Sequence, residues 1–175
     1  TNITKLCDYL EPDAKFTGAV NWIKFDNDRN LIGDNFDGQG FVNGFIKQNY
    51  SLKNKNVCLF GAGGAALSIG ASLVNEHIKS LKLINRDINK AIHLKNKIHS
   101  KSNLLQVDVF PESDYTLTDS DIIINATSLG LKKTDKMPFD VNNSSPSSVI
   151  ADIIMEPEET KLLKYAKSLG RSIHY

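Results

Sequence analysis

The stretch Val57-Cys58-Leu59-Phe60-Gly61-Ala62-Gly63-Gly64-Ala65-Ala66-Leu67-Ser68-Ile69 passes from four apolar residues through a glycine-rich turn into small and apolar residues at helical spacing. It reads as strand, tight turn and helix, with the glycines in the G-x-G-x-x-A form. Gly61 permits the turn. Gly63 lets main chain approach a ligand closely, and the small Ala66 lets helix and strand pack together. The N–H groups of Gly61, Ala62, Gly63, Gly64 and Ala65, with the positive end of the helix dipole, suit a pyrophosphate. The plainer alternative is a glycine-rich strand-to-helix turn that binds nothing.

Downstream, short apolar runs recur at Leu81 to Ile84, Leu104 to Val107, Ile122 to Ile124 and Val149 to Ile154. Helical patterns cover Ala65 to Asn75, Ile88 to Ile98 and Glu158 to Leu169. Near-continuous apolar strands alternating with helices predict an α/β fold whose doubly wound, mostly parallel sheet is covered on both faces. Upstream, Ala19 to Phe25 and Leu31 to Gly33 flank a polar turn and predict a hairpin. Ile3, Leu6, Cys7 and Leu10 fall at helical spacing and predict a helix ending at Glu11-Pro12-Asp13. A further helix is expected from about Gly40, with Asp37 at or near its N-cap.

The 175 residues are 41% hydrophobic and 23% charged, as in an ordinary globular protein able to bury a core. A net charge of +1 supplies no global field for nucleic acid or an anionic membrane. No apolar run has the length of a membrane span. Cys7 and Cys58 stand far apart, without Cys-x-x-Cys spacing or a His cluster, so neither a zinc site nor a disulfide framework is expected. A reducing, cytoplasmic setting follows. His77, His93, His99 and His174 show no metal spacing and read as surface residues. Lys95, Lys97 and Lys101 read as a solvated helix face.

After the second apolar run of this α/β region stands Asn85-Arg86-Asp87, with Lys90 one helical turn further. Arg86 and Lys90 can clasp a 2′-phosphate, which favours NADP. Asp87 opposes that choice, because it can repel the phosphate or serve the ribose of NAD; it can equally cap the next helix. Asn125, Ala126, Thr127 and Ser128 close the fourth strand at its carboxyl end, where such sheets bind ligands, and are assigned to the nicotinamide half.

Several separated segments together resemble the shikimate and quinate dehydrogenase family. They are Gly18-Ala19-Val20-Asn21, Gly33 to Gly40, Gly61 to Ala66, Asn85-Arg86, Asn125 to Gly130, and Asp152 with Pro157 to Leu163. The resemblance implies a substrate domain preceding a Rossmann domain, and hydride transfer between NADPH and 3-dehydroshikimate or a related cyclic hydroxy acid. Residues 1–36 then belong to the substrate domain and residues 37–175 to the cofactor domain. The small-molecule substrate meets Asn21, Asp37 and Met155. Asp37 is the catalytic residue, partnering a lysine that protonates the developing alkoxide. By the same alignment that lysine falls just upstream of Thr1, and the C-terminal helix after Tyr175, so the chain by itself is expected to be nearly inactive. Phe36 and Met155 stand where the family usually has Thr and Tyr. Losing two hydroxyls weakens the match to shikimate itself. An alternative is a non-catalytic regulatory module; monomer and homodimer are both compatible.

Overall fold

The computed structural model describes residues 3–175, so Thr1 and Asn2, the first residues of the expected N-terminal helix, lie outside the described residues. Where that helix was expected there is a 3-10 turn at Ile3–Lys5 and a strand, β1 (Tyr9–Leu10), pairing parallel with a later strand. The helix comes only afterwards, as α1 (Pro12–Thr17), with Pro12 opening it and Gly18 closing it at φ 69°. Proline is pre-organised for a first helical turn, so the Glu11-Pro12 break marks a start and not an end. The hairpin forms as β2 (Trp22–Phe25) and β3 (Leu31–Asp34), giving a three-stranded sheet in the order β1-β3-β2.

Helix α2 (Asp37–Lys47) leads into β4 (Asn56–Phe60) and α3 (Gly64–Asn75). Strand β5 (Ser80–Asn85), α4 (Ile88–Lys101) and β6 (Gln106–Pro111) follow. The chain ends through β7 (Ile122–Asn125), β8 (Val149–Asp152), α5 (Lys161–Ser168) and β9 (Ser172–His174). The second sheet has six strands in the order β6-β5-β4-β7-β8-β9, every neighbouring pair parallel. Counted from β4 this is the 3-2-1-4-5-6 arrangement of a Rossmann-type sheet, with its reversal point between β4 and β7.

Alternation along β4 distributes its side chains to two cores. Val57 and Leu59 pack with Ile69 and Leu73 of α3 and Leu94 and Ile98 of α4. Cys58 and Phe60 pack on the other face with Leu162, Leu163 and Ala166 of α5. Loops cover the rest of that face: Phe139 stacks on Phe60 at 4.5 Å between centroids, and Tyr115 meets Phe60 edge-on.

Two further expectations are corrected. The third strand starts at Gln106, leaving Leu104 93% exposed. His174 is a core residue, 1% exposed, lying 3.8 Å from the Phe45 ring with its Nδ1 3.0 Å from Gln48 Oε1.

Candidate functional site

The carboxyl ends of β4, β5 and β7 converge on a cleft of about 400 Å³ at the reversal point of the sheet. Its floor is the glycine turn. Gly61 has φ 109°, its N–H donates to Ile84 O at 2.9 Å, and a Cβ placed there meets Ala126 O at 2.7 Å. Only glycine fits such a backbone beside β7. Gly63 is the N-cap of α3 in extended backbone, offers no side-chain cap, and has open space where a Cβ would lie. The first N–H groups of α3 are therefore free to meet an anion. Gly61, Ala62 and Gly63 line the cleft, whereas Gly64 and Ala65 stand behind them in the first helical turn.

Asn85, Arg86 and Lys90 form one wall. Asp87 Oδ1 accepts from the N–H groups of Asn89 at 3.0 Å and Lys90 at 3.4 Å, so the carboxylate caps α4. Asn85 Nδ2 donates to Asp87 O at 2.8 Å and tightens the same turn. Arg86 and Lys90 are exposed and make no ion pair among the described residues.

Ala126, Thr127 and Ser128 form the opposite wall, while Asn125 is fully buried behind it. Asn125 Oδ1 accepts from Thr127 Oγ1 at 2.6 Å and Thr127 N at 3.1 Å; its Nδ2 donates to Leu129 O and to Asp152 Oδ1, both at 3.0 Å. Asp152 also accepts from Thr160 Oγ1 at 2.8 Å. Burial pushes its carboxyl above the ordinary carboxylate value, against the pull of these hydrogen bonds. Asn125 thus shapes the wall without lining it. Thr160, read from sequence only as part of the Pro157 to Leu163 segment and given no role there, anchors the network and caps α5; a threonine just before a helical pattern is the signal for such a cap.

Asn21 and Asp37, sixteen residues apart, are brought together: Asn21 Nδ2 donates to Asp37 Oδ1 at 2.5 Å, and Asn21 Oδ1 accepts from Phe36 N at 3.0 Å. Asp37 is the first residue of α2, next to the cap position that Phe36 holds, and its side chain is turned to Asn21. Behind them Asn35 Oδ1 accepts from Ser68 Oγ at 2.9 Å, and Ser68 Oγ accepts from Gly38 N at 2.9 Å, tying this loop to α3. Asn21, Asp37 and Met155 lie outside the lining of the cleft, and Met155 is 87% exposed.

Fold and cleft define the class: a doubly wound α/β domain with a glycine turn at its reversal point, joined to a small mixed sheet. The family follows from comparison with known proteins. The sequence model described as "Shikimate / quinate 5-dehydrogenase" matches residues 45–155, and the chain belongs to that family. It is 37% identical over 169 residues to the shikimate dehydrogenase (NADP(+)) of Geobacillus sp. (strain WCH70), covering 95% of this chain and 60% of that protein. The chain therefore spans about 60% of the length of such curated relatives. Among solved structures, the shikimate 5-dehydrogenase of Listeria monocytogenes in complex with shikimate and NAD superposes with a TM-score of 0.86 at 28% identity. That match covers 99% of this chain and 63% of the other. The 5-ketofructose reductase of Gluconobacter sp. strain CHM43 superposes with a TM-score of 0.87 at 33% identity, covering 98% and 62%.

Proposed function

We propose that the chain carries the cofactor-binding region, residues 37–175, and the adjoining edge of the substrate-binding region, residues 1–36, of an NADP-dependent oxidoreductase. The reaction is hydride transfer between NADPH and 3-dehydroshikimate or a related cyclic hydroxy acid. The observation that carries this reading is the convergence of the free N-terminus of α3 with Arg86 and Lys90 on one cleft at the reversal point of the sheet.

The nicotinamide of the bound nucleotide supplies the hydride chemistry. The main chain at Gly61 to Gly63 faces the diphosphate. The Arg86 fork and the Lys90 ammonium face the 2′-phosphate, which NAD lacks. With its carboxylate held by two helix N–H groups, Asp87 serves the helix and is a weaker rival for the ribose. Thr127 and Ser128 border the nicotinamide half, their strand end fixed by Asn125 and Asp152. Asp37 works beside the reacting oxygen, and Asn21, which orients it, meets a substrate hydroxyl.

Phe36 packs edge-on against Trp22 with centroids 5.5 Å apart, so the position is committed to an apolar contact. This supports a substrate with fewer recognised hydroxyls. The named relatives are enzymes, which favours catalysis over a purely regulatory module. Among the described residues no helix is long and apolar enough to cross a membrane.

A fluorescence titration of the chain with NADPH and, separately, NADH tests the reading. Saturable binding that favours NADPH is expected. Absence of binding of either at millimolar nucleotide, a free energy of about 4 kcal/mol or less, overturns it.

A further inference from the structure

The loop that follows β7 carries a lysine not yet given a task. Lys136 lines the same cleft as the glycine turn, and among the described residues it makes no ion pair. Its neighbours are pinned on both sides. Asp135 Oδ2 accepts from Gly130 N at 3.1 Å and Lys132 N at 3.0 Å, closing the loop on itself. Pro138 and Phe139 are buried, with Phe139 stacked on Phe60 at the end of β4. Lys132 and Lys133, on the same loop, do not line the cleft. The sheet order decides what Lys136 can reach. Arg86 and Lys90 follow β5 and Lys136 follows β7, while β4 with its glycine turn stands between those strands. An anion held between the two sets of cations would lie over the glycine turn.

We infer that Lys136 is a further cofactor-binding residue, contributing a charge-assisted hydrogen bond to the diphosphate bridge shared by NADPH and NADH. The inference rests on the nucleotide-binding reading above. It assigns the cations separate tasks: Arg86 and Lys90 discriminate between the two nucleotides, and Lys136 holds both. Glu112, an acid lining the same cleft, offsets part of its positive charge.

The test is a titration of the wild-type chain, Lys136→Gln and Lys133→Gln with NADPH and with NADH. For Lys136→Gln the dissociation constants for both nucleotides rise by a similar factor, about fivefold as for a partly solvated ion contact, with an unchanged thermal midpoint. Lys133→Gln leaves both constants unchanged. Weakening of NADPH alone overturns the inference, since it moves Lys136 to the 2′-phosphate. No change in either constant overturns it as well, as does an equal effect of Lys133→Gln, which reveals diffuse loop charge. If the wild-type chain binds neither nucleotide, the nucleotide-binding reading itself fails and Lys136 falls with it.

Discussion

Gly61→Ala is the perturbation whose cost the structure specifies best. Alanine at φ 109° carries backbone strain of about 1–3 kcal/mol. Its Cβ also lies 2.7 Å from Ala126 O and 2.9 Å from Ala126 C, main-chain atoms of the neighbouring strand connection that cannot rotate aside. Overpacking of that kind adds about 1–3 kcal/mol. Relief by local shifts reduces the total, so about 3 kcal/mol is expected, and for a chain of this size that lowers the Tm by roughly 6–12 °C. The assay is thermal unfolding followed by circular dichroism, without nucleotide. Gly64→Ala is the matched control, because it opens α3 with nothing within 4 Å of the new Cβ. There alanine favours the helix, and the Tm is expected to stay level or rise slightly. A Gly61→Ala protein as stable as wild type refutes the argument, since it requires that the turn can adopt another backbone conformation at no cost.

Arg86→Ala is expected to weaken NADPH by about tenfold or more and NADH little, the loss of one bidentate phosphate contact; an unchanged NADPH/NADH ratio by titration contradicts the assigned 2′-phosphate contact. In the full-length protein, Asp37→Asn is expected to lower kcat far more than it lowers nucleotide affinity, and equal losses remove Asp37 from the chemistry. Burial holds the His174 imidazole below its ordinary pKa of 6.5, so as pH falls through 6.5 the unfolded chain takes up a proton that the folded chain resists. Stability is therefore lost on acidification below that value and is unaffected by this group above it. Urea midpoints at pH 7.5 and 5.5 are expected to differ less in His174→Gln than in wild type; an identical drop in both excludes His174 as a source of the acid sensitivity.

The Rossmann half was legible because its signals are local. Val57 to Phe60 is apolar throughout since β4 is covered on both faces, and the glycine turn must follow at once. Long-range pairings were not legible. Tyr9 and Leu10 are a strand only because β3 lies beside them, and two residues carry no period of their own. The buried network of Asn125, Asp152 and Thr160 depends on the register that sets Asn125 opposite Asp152. Residues so distant in sequence show no spacing to read. His174 was misread for a similar reason: what buries it comes from far upstream in the chain, Phe41 and Phe45 of α2. The cleft walls at Arg86, Lys90, Thr127 and Ser128 follow directly from strand ends. The Asn21–Asp37 contact needed the family resemblance, since either residue alone reads as an ordinary polar group beside a strand or helix.

One contact sets how far the Asp37 end of the molecule stands from the glycine turn. Gly38, directly after Asp37, lies so close to α3 that a Cβ there meets Ser68 O at 2.1 Å and Ser72 Oγ at 2.6 Å. On the α2 side the contact is bare main chain, and the nearest atom on the α3 side, Ser68 O, is main chain too and cannot rotate aside. Any other residue at position 38 pushes α2 outward by about an ångström before a normal contact distance is regained. In the hydride transfer proposed above, a misplacement of that size costs about a hundredfold in rate. Gly38 thus acts as a spacer of zero thickness: it fixes the distance between Asp37 and the helix that the glycine turn opens.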